Sequence, residues 1–457
     1  MPYRSVNPAT GEVIATFTSD TDTELKSAVT VAHALYESDW SRGPRRRRLE
    51  TLSRAADLLE ERSEDLARTI TEEMGKRISE ARAEVRLSAQ ILRFYATNGD
   101  AFLAPEQIRS PLGDVWVEYH PIGLVVAVEP WNYPFYQLAR VAGPNIAIGN
   151  PVLTKHASIV PGCATAFEKA VSDAGAPRGA WTNLFASGEQ IADLIADDRV
   201  QGVALTGSEK AGSIVAAQAA KYLKKSVMEL GGADVFAVLD DADIDKAAAA
   251  GAEARLNGAG QVCNGAKRFI VHASIAARFL DKFTALLANT KIGDPMDESV
   301  GLGPLCSVQA RDELAAQVAR AVKAGATLHF GGSAIKGPGA FLQPTVLTNI
   351  TRDNPAYFEE FFGPVAQVYV IRDDEELIAL ANDSHFGLSG AIFTANVERA
   401  KALASRIETG SVWINTRSST APELPFGGVK RSGYGRELSK FGIKEWVNQK
   451  MVVVANQ

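Results

Sequence analysis

The chain has 457 residues, of which 46% are hydrophobic and 22% are charged, and its formal net charge is −6. This length predicts two or three domains rather than a single core, and the acidic balance argues against a nucleic-acid-binding protein, which would usually be basic. The three cysteines are widely spaced and odd in number, and no apolar secretory segment opens the chain, so we expect reduced thiols in a cytoplasmic protein.

The predicted elements begin with helices. Residues 22–100 place apolar side chains at three- and four-residue spacing, which predicts amphipathic helices. The following segment, "DVWVEYHPIGLVVAVEPWN", alternates and then becomes a β-branched run, as is typical of a strand that enters a buried sheet. Its apolar stretch from Ile122 to Val128 is far too short to span a membrane.

From about residue 150 onward, short strands alternate with longer helices. The strands "NPVLTKHAS", "WTNLFAS" and "VQGVALTGS" each lead into a helical segment, and a second such region begins at "DVFAVL". This alternation predicts parallel strands with crossover helices in a doubly wound α/β sheet. The C-terminal "EWVNQKMVVVANQ" predicts an exposed strand for which no partner is left in the sequence, an edge that is usually covered or joined to a second chain.

Cys263 lies in a glycine-rich segment, "RLNGAGQVCNGAKR". A lone cysteine is more often a small buried hydrophobic residue than a nucleophile, and we interpret Cys163 and Cys306 in that way. Around Cys263, however, glycine lets the backbone turn tightly and leaves the thiol accessible. The setting therefore favours a reactive thiol.

Three further segments combine glycine or aromatic residues with a polar group. "EPWNYP" presents Asn132 between aromatic residues, and "MELGG" puts Glu229 directly before two glycines. "ALTGSEKAG" ends a strand at Gly207 and Ser208 and opens a helix, whose free amides attract phosphate. It is not a GxGxxG fingerprint. No Cys/His cluster has the spacing of metal ligands, so we expect no metal site.

Together these motifs resemble the aldehyde dehydrogenase superfamily, and most of all its short bacterial succinate-semialdehyde dehydrogenases. In chain order they are "NPATGEV", "MGK", "PWNYP", "TGS", "ELGG", "GQVC", "EEFFGPV" and "PFGGVKRSGYGRE". The resemblance implies an α/β fold with a Rossmann-type cofactor domain, an α/β catalytic domain and a β-strand oligomerisation arm. The implied boundaries are residues 1–101 and 121–231 for the cofactor domain, 232–428 for the catalytic domain, and 102–120 with 429–457 for the arm and C-terminal tail.

The resemblance also implies a reaction. Cys263 would attack the aldehyde carbon as a thiolate and form a thiohemiacetal. The Asn132 amide and the Cys263 backbone N–H would hold the oxyanion. Loss of hydride to a nicotinamide would leave a thioester, which water activated by Glu229 would hydrolyse. A homodimer or homotetramer joined through the arm is implied as well.

The cofactor is expected to be NADP, with NAD also possible. Many NAD-preferring relatives carry a glutamate three residues after the lysine at position 155, where it binds the ribose hydroxyls. Ser158 stands there instead, which leaves room for a 2′-phosphate beside the positive charge of Lys155. The cofactor contacts that the resemblance implies are Trp131, Lys155, Ser158, Gly207, Ser208, Glu360 and Phe362.

The substrate is expected to be succinate semialdehyde. In its dehydrogenases an arginine eight residues after the asparagine anchors the substrate carboxylate, and Arg140 holds that position. The alternative for Arg140 is a buried structural ion pair. Ser419 and Thr420 offer hydroxyl contacts, and Arg417, which is unusual in this loop, either strengthens the carboxylate site or redirects specificity.

Other activities stay open at this point. One is the oxidation of a different aliphatic or aromatic aldehyde. Another is a CoA-acylating relative, against which Glu229 argues, because hydrolysis requires a base and transfer to CoA does not. A non-catalytic protein of this fold would be expected to lack the nucleophile, the base or the oxyanion amide, and this sequence has all three.

Overall fold

The structure is a computed structural model, and it describes residues 3–456. Its N-terminal part is a two-stranded ribbon followed by five helices, so the helices predicted for residues 22–100 are present. Thr21 starts the first helix, since its hydroxyl and the Glu24 carboxylate cap each other's backbone amides. The bounds are β1 (Tyr3–Val6), β2 (Val13–Phe17), α1 (Asp22–Tyr36), α2 (Asp39–Arg42), α3 (Arg46–Glu61), α4 (Ser63–Met74) and α5 (Ile78–Phe102).

A six-stranded sheet follows, built from the predicted strand–helix units. Its elements are β5 (Leu124–Glu129), α6 (Pro134–Ile148), β6 (Val152–His156), α7 (Pro161–Asp173), β7 (Trp181–Asn183), α8 (Gly188–Ala196), β8 (Val200–Thr206), α9 (Glu209–Lys221) and β9 (Lys225–Glu229), with β19 (Gly433–Tyr434) at one edge. The order is β19-β9-β8-β5-β6-β7, parallel except for β19. The strand order reverses between β5 and β8, and ligands of such sheets bind at the carboxyl ends beside this reversal.

A seven-stranded sheet forms the second α/β unit. Its order is β12-β13-β14-β11-β10-β16-β17, parallel except for β12. The elements are β10 (Asp234–Val238), α10 (Ile244–Leu256), β11 (Ala266–His272), α11 (Ala276–Ala288), α12 (Val308–Lys323), β12 (Thr327–Phe330), β13 (Thr345–Thr348), β14 (Val365–Ile371), α13 (Asp374–Asn382), β16 (Ser389–Phe393), α14 (Val397–Ala404) and β17 (Ser411–Ile414). Short 3₁₀ turns span Asn257–Gly260 and Pro355–Tyr357, and β15 (Phe386–Gly387) pairs with β18 (Val429–Lys430).

The C-terminal strand has a partner in its own chain, so the prediction that nothing was left to pair it is wrong. After α15 (Ser439–Lys444), β20 (Val447–Ala455) runs antiparallel to β4 (Gly113–Pro121), which also pairs with β3 (Glu106–Ser110). The two strands lie far apart in sequence, and a search along the chain for neighbouring strands cannot find such a pair. The segment predicted as arm and tail, 429–457, also contributes β18 and β19 to other sheets.

Separate apolar cores support the two large sheets. One packs the helices of the N-terminal half against the six-stranded sheet, and another packs α10, α11 and α12 against the seven-stranded sheet. Within residues 3–456, no helix combines the length and apolar character that crossing a bilayer requires.

Candidate active site

A cavity of about 370 Å³ lies between helix α5, the start of α6, helix α10 and the loop after β17. Cys263 lines it. Cys163 and Cys306 are buried and lie outside its lining. The cavity is also lined by Glu84, Tyr136, Glu253, Arg417, Ser419 and Thr420.

The loop that carries Cys263 starts with three residues in an unusual backbone conformation. Gly258, Ala259 and Gly260 all have left-handed φ values, of 55°, 53° and 74°. A β-carbon at Gly260 would collide with the backbone of Gly363, so only glycine fits there. This close approach joins the "GQVC" segment to the "EEFFGPV" segment.

Lys267 fixes the same loop from its other side. Its buried ammonium donates hydrogen bonds to the carbonyl oxygens of Val262, at 2.8 Å, and Cys263, at 2.6 Å. It also lies 2.9 Å from the Glu360 carboxylate. These contacts of Lys267 were not predicted from the sequence, although a lysine at the start of the strand that follows the cysteine was a visible signal.

Asn132 lies beside the loop. Its side chain is buried, and Nδ2 donates a hydrogen bond of 3.0 Å to the carbonyl oxygen of Gln261, two residues before Cys263. Helix α6 starts just after Asn132. There the Glu84 carboxylate accepts the backbone N–H groups of Phe135, at 2.9 Å, and Tyr136, at 3.2 Å, while a buried ion pair with Lys76 holds Glu84 in place.

The Cys263 side chain is a neutral thiol at physiological pH. Burial raises its pKa to about 11, although the positive charges of Arg140 and Lys267 act in the opposite direction. A thiol is a nucleophile only as the thiolate, so a nucleophilic role of Cys263 would require a group that removes this proton.

Glu229 ends β9 and is not among the residues that line the cavity. Both carboxylate oxygens are buried and accept no hydrogen bond from any residue in 3–456. Burial raises its pKa well above the usual value, Glu437 raises it further, and Arg140 lowers it. The backbone after Glu229 does reach the loop that carries Cys263, because a β-carbon at Gly232 would lie 2.7 Å from the Cys263 carbonyl oxygen.

Arg140, the predicted carboxylate anchor, is not itself among the residues that line the cavity. Its guanidinium is buried, with Nε 2.6 Å from Glu437 Oε2. The Nη2 atom donates to the Thr206 hydroxyl at 3.0 Å, and Nη1 donates to the Tyr136 hydroxyl at 3.2 Å. This arrangement matches the alternative interpretation, a buried structural ion pair.

Arg417, Ser419 and Thr420 do line the cavity. Arg417 Nη2 lies 2.8 Å from Oε1 of Glu253, whose side chain is 63% exposed. Its Nη1 donates to the Ser418 carbonyl oxygen at 3.2 Å. A partly exposed ion pair of this kind is weak.

Five of the seven predicted cofactor residues lie at or just after the carboxyl ends of strands in the six-stranded sheet. Lys155 is the last residue but one of β6 and is partly buried, and none of the ion pairs within residues 3–456 includes it. Burial lowers its pKa. Ser158 follows, and its carbonyl oxygen accepts the Arg4 N–H at 3.2 Å. A lysine without a carboxylate beside a neutral serine fits the 2′-phosphate of NADP.

The remaining cofactor residues lie after β5, after β8 and before β14. Gly207 follows β8, and Ser208 caps α9, its hydroxyl accepting the Ala211 N–H at 3.2 Å. The Trp131 and Phe362 rings meet edge to face at 5.8 Å between centroids. Glu360 is the partner of Lys267 described above.

Comparisons with known proteins agree with this architecture. The model of the aldehyde dehydrogenase family matches residues 1–452. A Deinococcus radiodurans protein named succinate-semialdehyde dehydrogenase [NADP(+)] is 48% identical over 451 residues, which cover 99% of this chain and 94% of the relative. An Escherichia coli succinate semialdehyde dehydrogenase [NAD(P)+] is 43% identical over 444 residues, covering 97% and 96%.

Solved structures agree as well. The succinic semialdehyde dehydrogenase of Streptococcus pyogenes, in complex with NADP+ as the cofactor, has a TM-score of 0.98 and 44% identity, covering 99% of this chain and all of that one. The betaine aldehyde dehydrogenase of Staphylococcus aureus, in complex with NAD+, has a TM-score of 0.96 and 30% identity, covering 99% and 91%. The predicted family and fold class are confirmed.

Proposed function

The chain belongs to the aldehyde dehydrogenase family, and from this premise we propose that it oxidises succinate semialdehyde to succinate with NADP. The observation that carries the proposal is that one cavity holds both Cys263 and Arg417. A nucleophile and a cation in the same cavity suit an aldehyde that also bears a carboxylate. The names of the relatives and the fit of Lys155 and Ser158 to a 2′-phosphate support the same assignment.

In the proposed mechanism, the Cys263 sulfur attacks the aldehyde carbon and forms a tetrahedral adduct. The negative oxygen would be held by the Asn132 side-chain amide and the Cys263 backbone N–H. One such donor typically contributes about 10²–10³ to the rate. Lys267 keeps the loop in position by binding the Cys263 carbonyl oxygen, so that the backbone N–H stays directed at the adduct.

Lys155, Ser208 and Glu360 would hold the cofactor at the carboxyl ends of β6 and β8 and beside the nucleophile loop. A nicotinamide held there would supply the hydride acceptor, and oxidation of the adduct would leave a thioester on Cys263. Trp131 and Phe362 would pack beside this site and exclude water while the hydride moves.

Glu229 would then act as the base. Its buried carboxylate has a raised pKa and no hydrogen-bond donor, so it accepts a proton readily once it is charged. To reach water at the thioester, the side chain must turn from its buried position toward Cys263. We propose that Glu229 removes a proton from the attacking water and, earlier in the cycle, the proton of the Cys263 thiol.

The substrate carboxylate is assigned to Arg417, with the Ser419 and Thr420 hydroxyls as further partners. Arg140 is assigned a positioning role, because its guanidinium is already committed to Glu437, Thr206 and Tyr136.

We further propose that the chain works as a homodimer or homotetramer in the cytoplasm. Strand β20 supports assembly through the arm, because it exposes 63% of Met451 and 56% of Val454 although both are apolar. Three free cysteines suit a reducing compartment. Light scattering on the purified protein should give two or four times the 48.9 kDa chain mass.

The test of the proposed function is a set of aldehydes with and without a terminal carboxylate, assayed with NADP and NAD and without CoA. We expect the highest kcat/KM for succinate semialdehyde with NADP, and succinate as the product. Cys263→Ala should abolish turnover. A higher kcat/KM for an uncharged or aromatic aldehyde, or for NAD, would contradict the assigned substrate or cofactor, and a requirement for CoA would contradict hydrolysis.

A further inference from the structure

Gln137, in the first turn of α6, has a buried side-chain amide that the mechanism above does not use. The residue is 1% exposed, and it lines the cavity that holds Cys263. Its Oε1 atom is buried and has no hydrogen-bond partner in residues 3–456. A buried acceptor without a donor lowers stability, whereas methionine would fill a similar space without that cost. Packing alone therefore does not explain a glutamine at this position.

The hydrogen bond that the Gln137 side chain does make goes to Asn132. Helix α6 begins at Pro134, and its first turn brings Gln137 back beside Asn132. There Gln137 Nε2 donates to Asn132 Oδ1 at 3.4 Å, which is long for a bond of this kind. Within residues 3–456, no other group donates to Asn132 Oδ1. Gln137 is therefore the partner that holds the oxygen end of the Asn132 amide.

The nitrogen end of the same amide is held by the loop that carries Cys263. Asn132 Nδ2 donates to the Gln261 carbonyl oxygen at 3.0 Å. The side chain of Gln261 is fixed as well, because its Oε1 accepts the Cys306 N–H at 2.9 Å and its Nε2 donates to the Gly258 carbonyl oxygen at 3.1 Å. A carbonyl oxygen only accepts hydrogen bonds, so the Gln261 contact determines which end of the Asn132 amide carries the nitrogen.

The Asn132 amide is thus anchored at both ends. An amide nitrogen carries two hydrogens, and the contact with Gln261 uses one of them, so the other remains for an oxyanion. An amide anchored only by Gln261 could rotate about that single contact and turn its second N–H away from the reaction centre. The contact with Gln137 opposes this rotation. Donors that are fixed before the reaction stabilise an oxyanion most, because they do not reorganise as the charge develops.

We propose that Gln137 is a positioning residue, which holds Asn132 Oδ1 so that the Asn132 amide stays directed at the oxyanion. This inference rests on the proposed oxyanion role of Asn132. Gln137 acts through Asn132 and does not bind the aldehyde itself. Loss of its N–H donor should therefore slow the steps in which negative charge develops on the aldehyde oxygen, and it should leave aldehyde binding unchanged.

The experiment measures NADPH formation in single turnovers over a range of concentrations of the best aldehyde of the set above. Gln137→Met removes the donor and keeps the length of the side chain. It should lower the saturating rate by about 5–12-fold, the size expected for one neutral hydrogen bond, and change the half-saturating aldehyde concentration by less than about two-fold. Asn132→Ala should lower the saturating rate by about 10²–10³-fold. In the Asn132→Ala background, Gln137→Met should change the rate by less than about two-fold, because no amide is left to position.

Alkylation of Cys263 by iodoacetamide gives a second readout, followed by mass spectrometry. Displacement of iodide by the thiolate forms no tetrahedral oxyanion, so Gln137→Met should alkylate at a rate within about two-fold of the wild type. Gln367→Met is the matched control, because Gln367 on β14 is also 1% exposed but does not line the cavity, and its Nε2 donates to the Ala356 carbonyl oxygen. This control should leave the NADPH and alkylation rates unchanged.

Several results would overturn the inference. If Gln137→Met lowered the rate by the same factor with and without Asn132, its effect would not pass through the Asn132 amide. A change confined to half-saturation would mean that Gln137 binds the aldehyde directly, and a matching loss in alkylation would mean a disturbed loop. A wild-type NADPH rate in Gln137→Met would show that the contact is not needed. Failure of the proposed function has a different mark, namely no NADPH from any aldehyde in the wild type.

Discussion

Cys263 keeps its proton at neutral pH because burial outweighs the attraction of Arg140 and Lys267, and its pKa is raised to about 11. Its accessible position and the amides around it prepare it for attack, but they do not ionise it. The proposed mechanism therefore needs a base at two points, first for the thiol and later for water. These two deprotonations make the protonation states of the buried carboxylates Glu129, Glu229 and Glu437 relevant to the mechanism.

Arg417 gives a residue-level test of substrate choice. A charged hydrogen bond contributes about 1.5–3 kcal/mol, so Arg417→Gln should lower kcat/KM for succinate semialdehyde by about 10–150-fold. Butyraldehyde, which lacks the carboxylate, should change by less than two-fold. Steady-state kinetics with both aldehydes measures the difference.

Glu253→Gln supplies the opposite change, because it removes the anion that competes for Arg417. An exposed pair is worth about 0.2–1 kcal/mol, so KM for succinate semialdehyde should fall by up to about five-fold. If Arg417→Gln lowered kcat/KM equally for both aldehydes, Arg417 would have a structural role and would not bind the substrate carboxylate.

Ser158 gives the corresponding test of cofactor choice. Ser158→Glu places a carboxylate near Lys155, where it would repel a 2′-phosphate and accept hydrogen bonds from ribose hydroxyls. We expect kcat/KM with NADP to fall by about 10–150-fold, as for a lost charged contact, and the value with NAD to be kept or raised. Ser158→Ala is the control and should still prefer NADP. An unchanged ratio of NADP to NAD in the glutamate variant would show that Ser158 lies away from the phosphate.

At the level of elements, sequence patterns predicted much of what local order determines. The alternation of strands and helices predicted parallel sheets, and glycines around Cys263 predicted a tightly turned loop. Gly260 illustrates the second case, because the backbone of Gly363 packs against it and leaves no room for a side chain. Features that depend on residues far apart in sequence were not predicted, among them the pairing of β20 with β4.

The same limit applies to charges inside the site. Arg140 occupies the position from which a resemblance assigns substrate binding, yet its partner Glu437 lies almost three hundred residues away and turns the guanidinium inward. Lys267 and Glu84 support the nucleophile loop and the start of α6 through contacts that no periodicity reveals. Motifs therefore located the site, while the direction of each side chain depended on tertiary packing.

At the level of the whole molecule, the buried carboxylates make stability depend on pH. Burial raises the pKa of Glu129 and Glu229 in the folded protein above the usual 4.5, so above that pH the folded state binds more protons than the unfolded state. Stability from these groups is therefore full below about pH 4.5 and is lost as pH rises toward the folded pKa, by about 1.4 kcal/mol per pH unit for each retained proton. Surface carboxylates change the stability with pH in the opposite direction, so the Glu129→Gln variant is compared with the wild type at each pH. Glu129→Gln removes one such proton, and its melting temperature relative to the wild type should rise steadily between pH 5 and pH 8 in calorimetry. A difference that stays constant with pH would mean that Glu129 is charged in the folded protein, with a cation or water that compensates it.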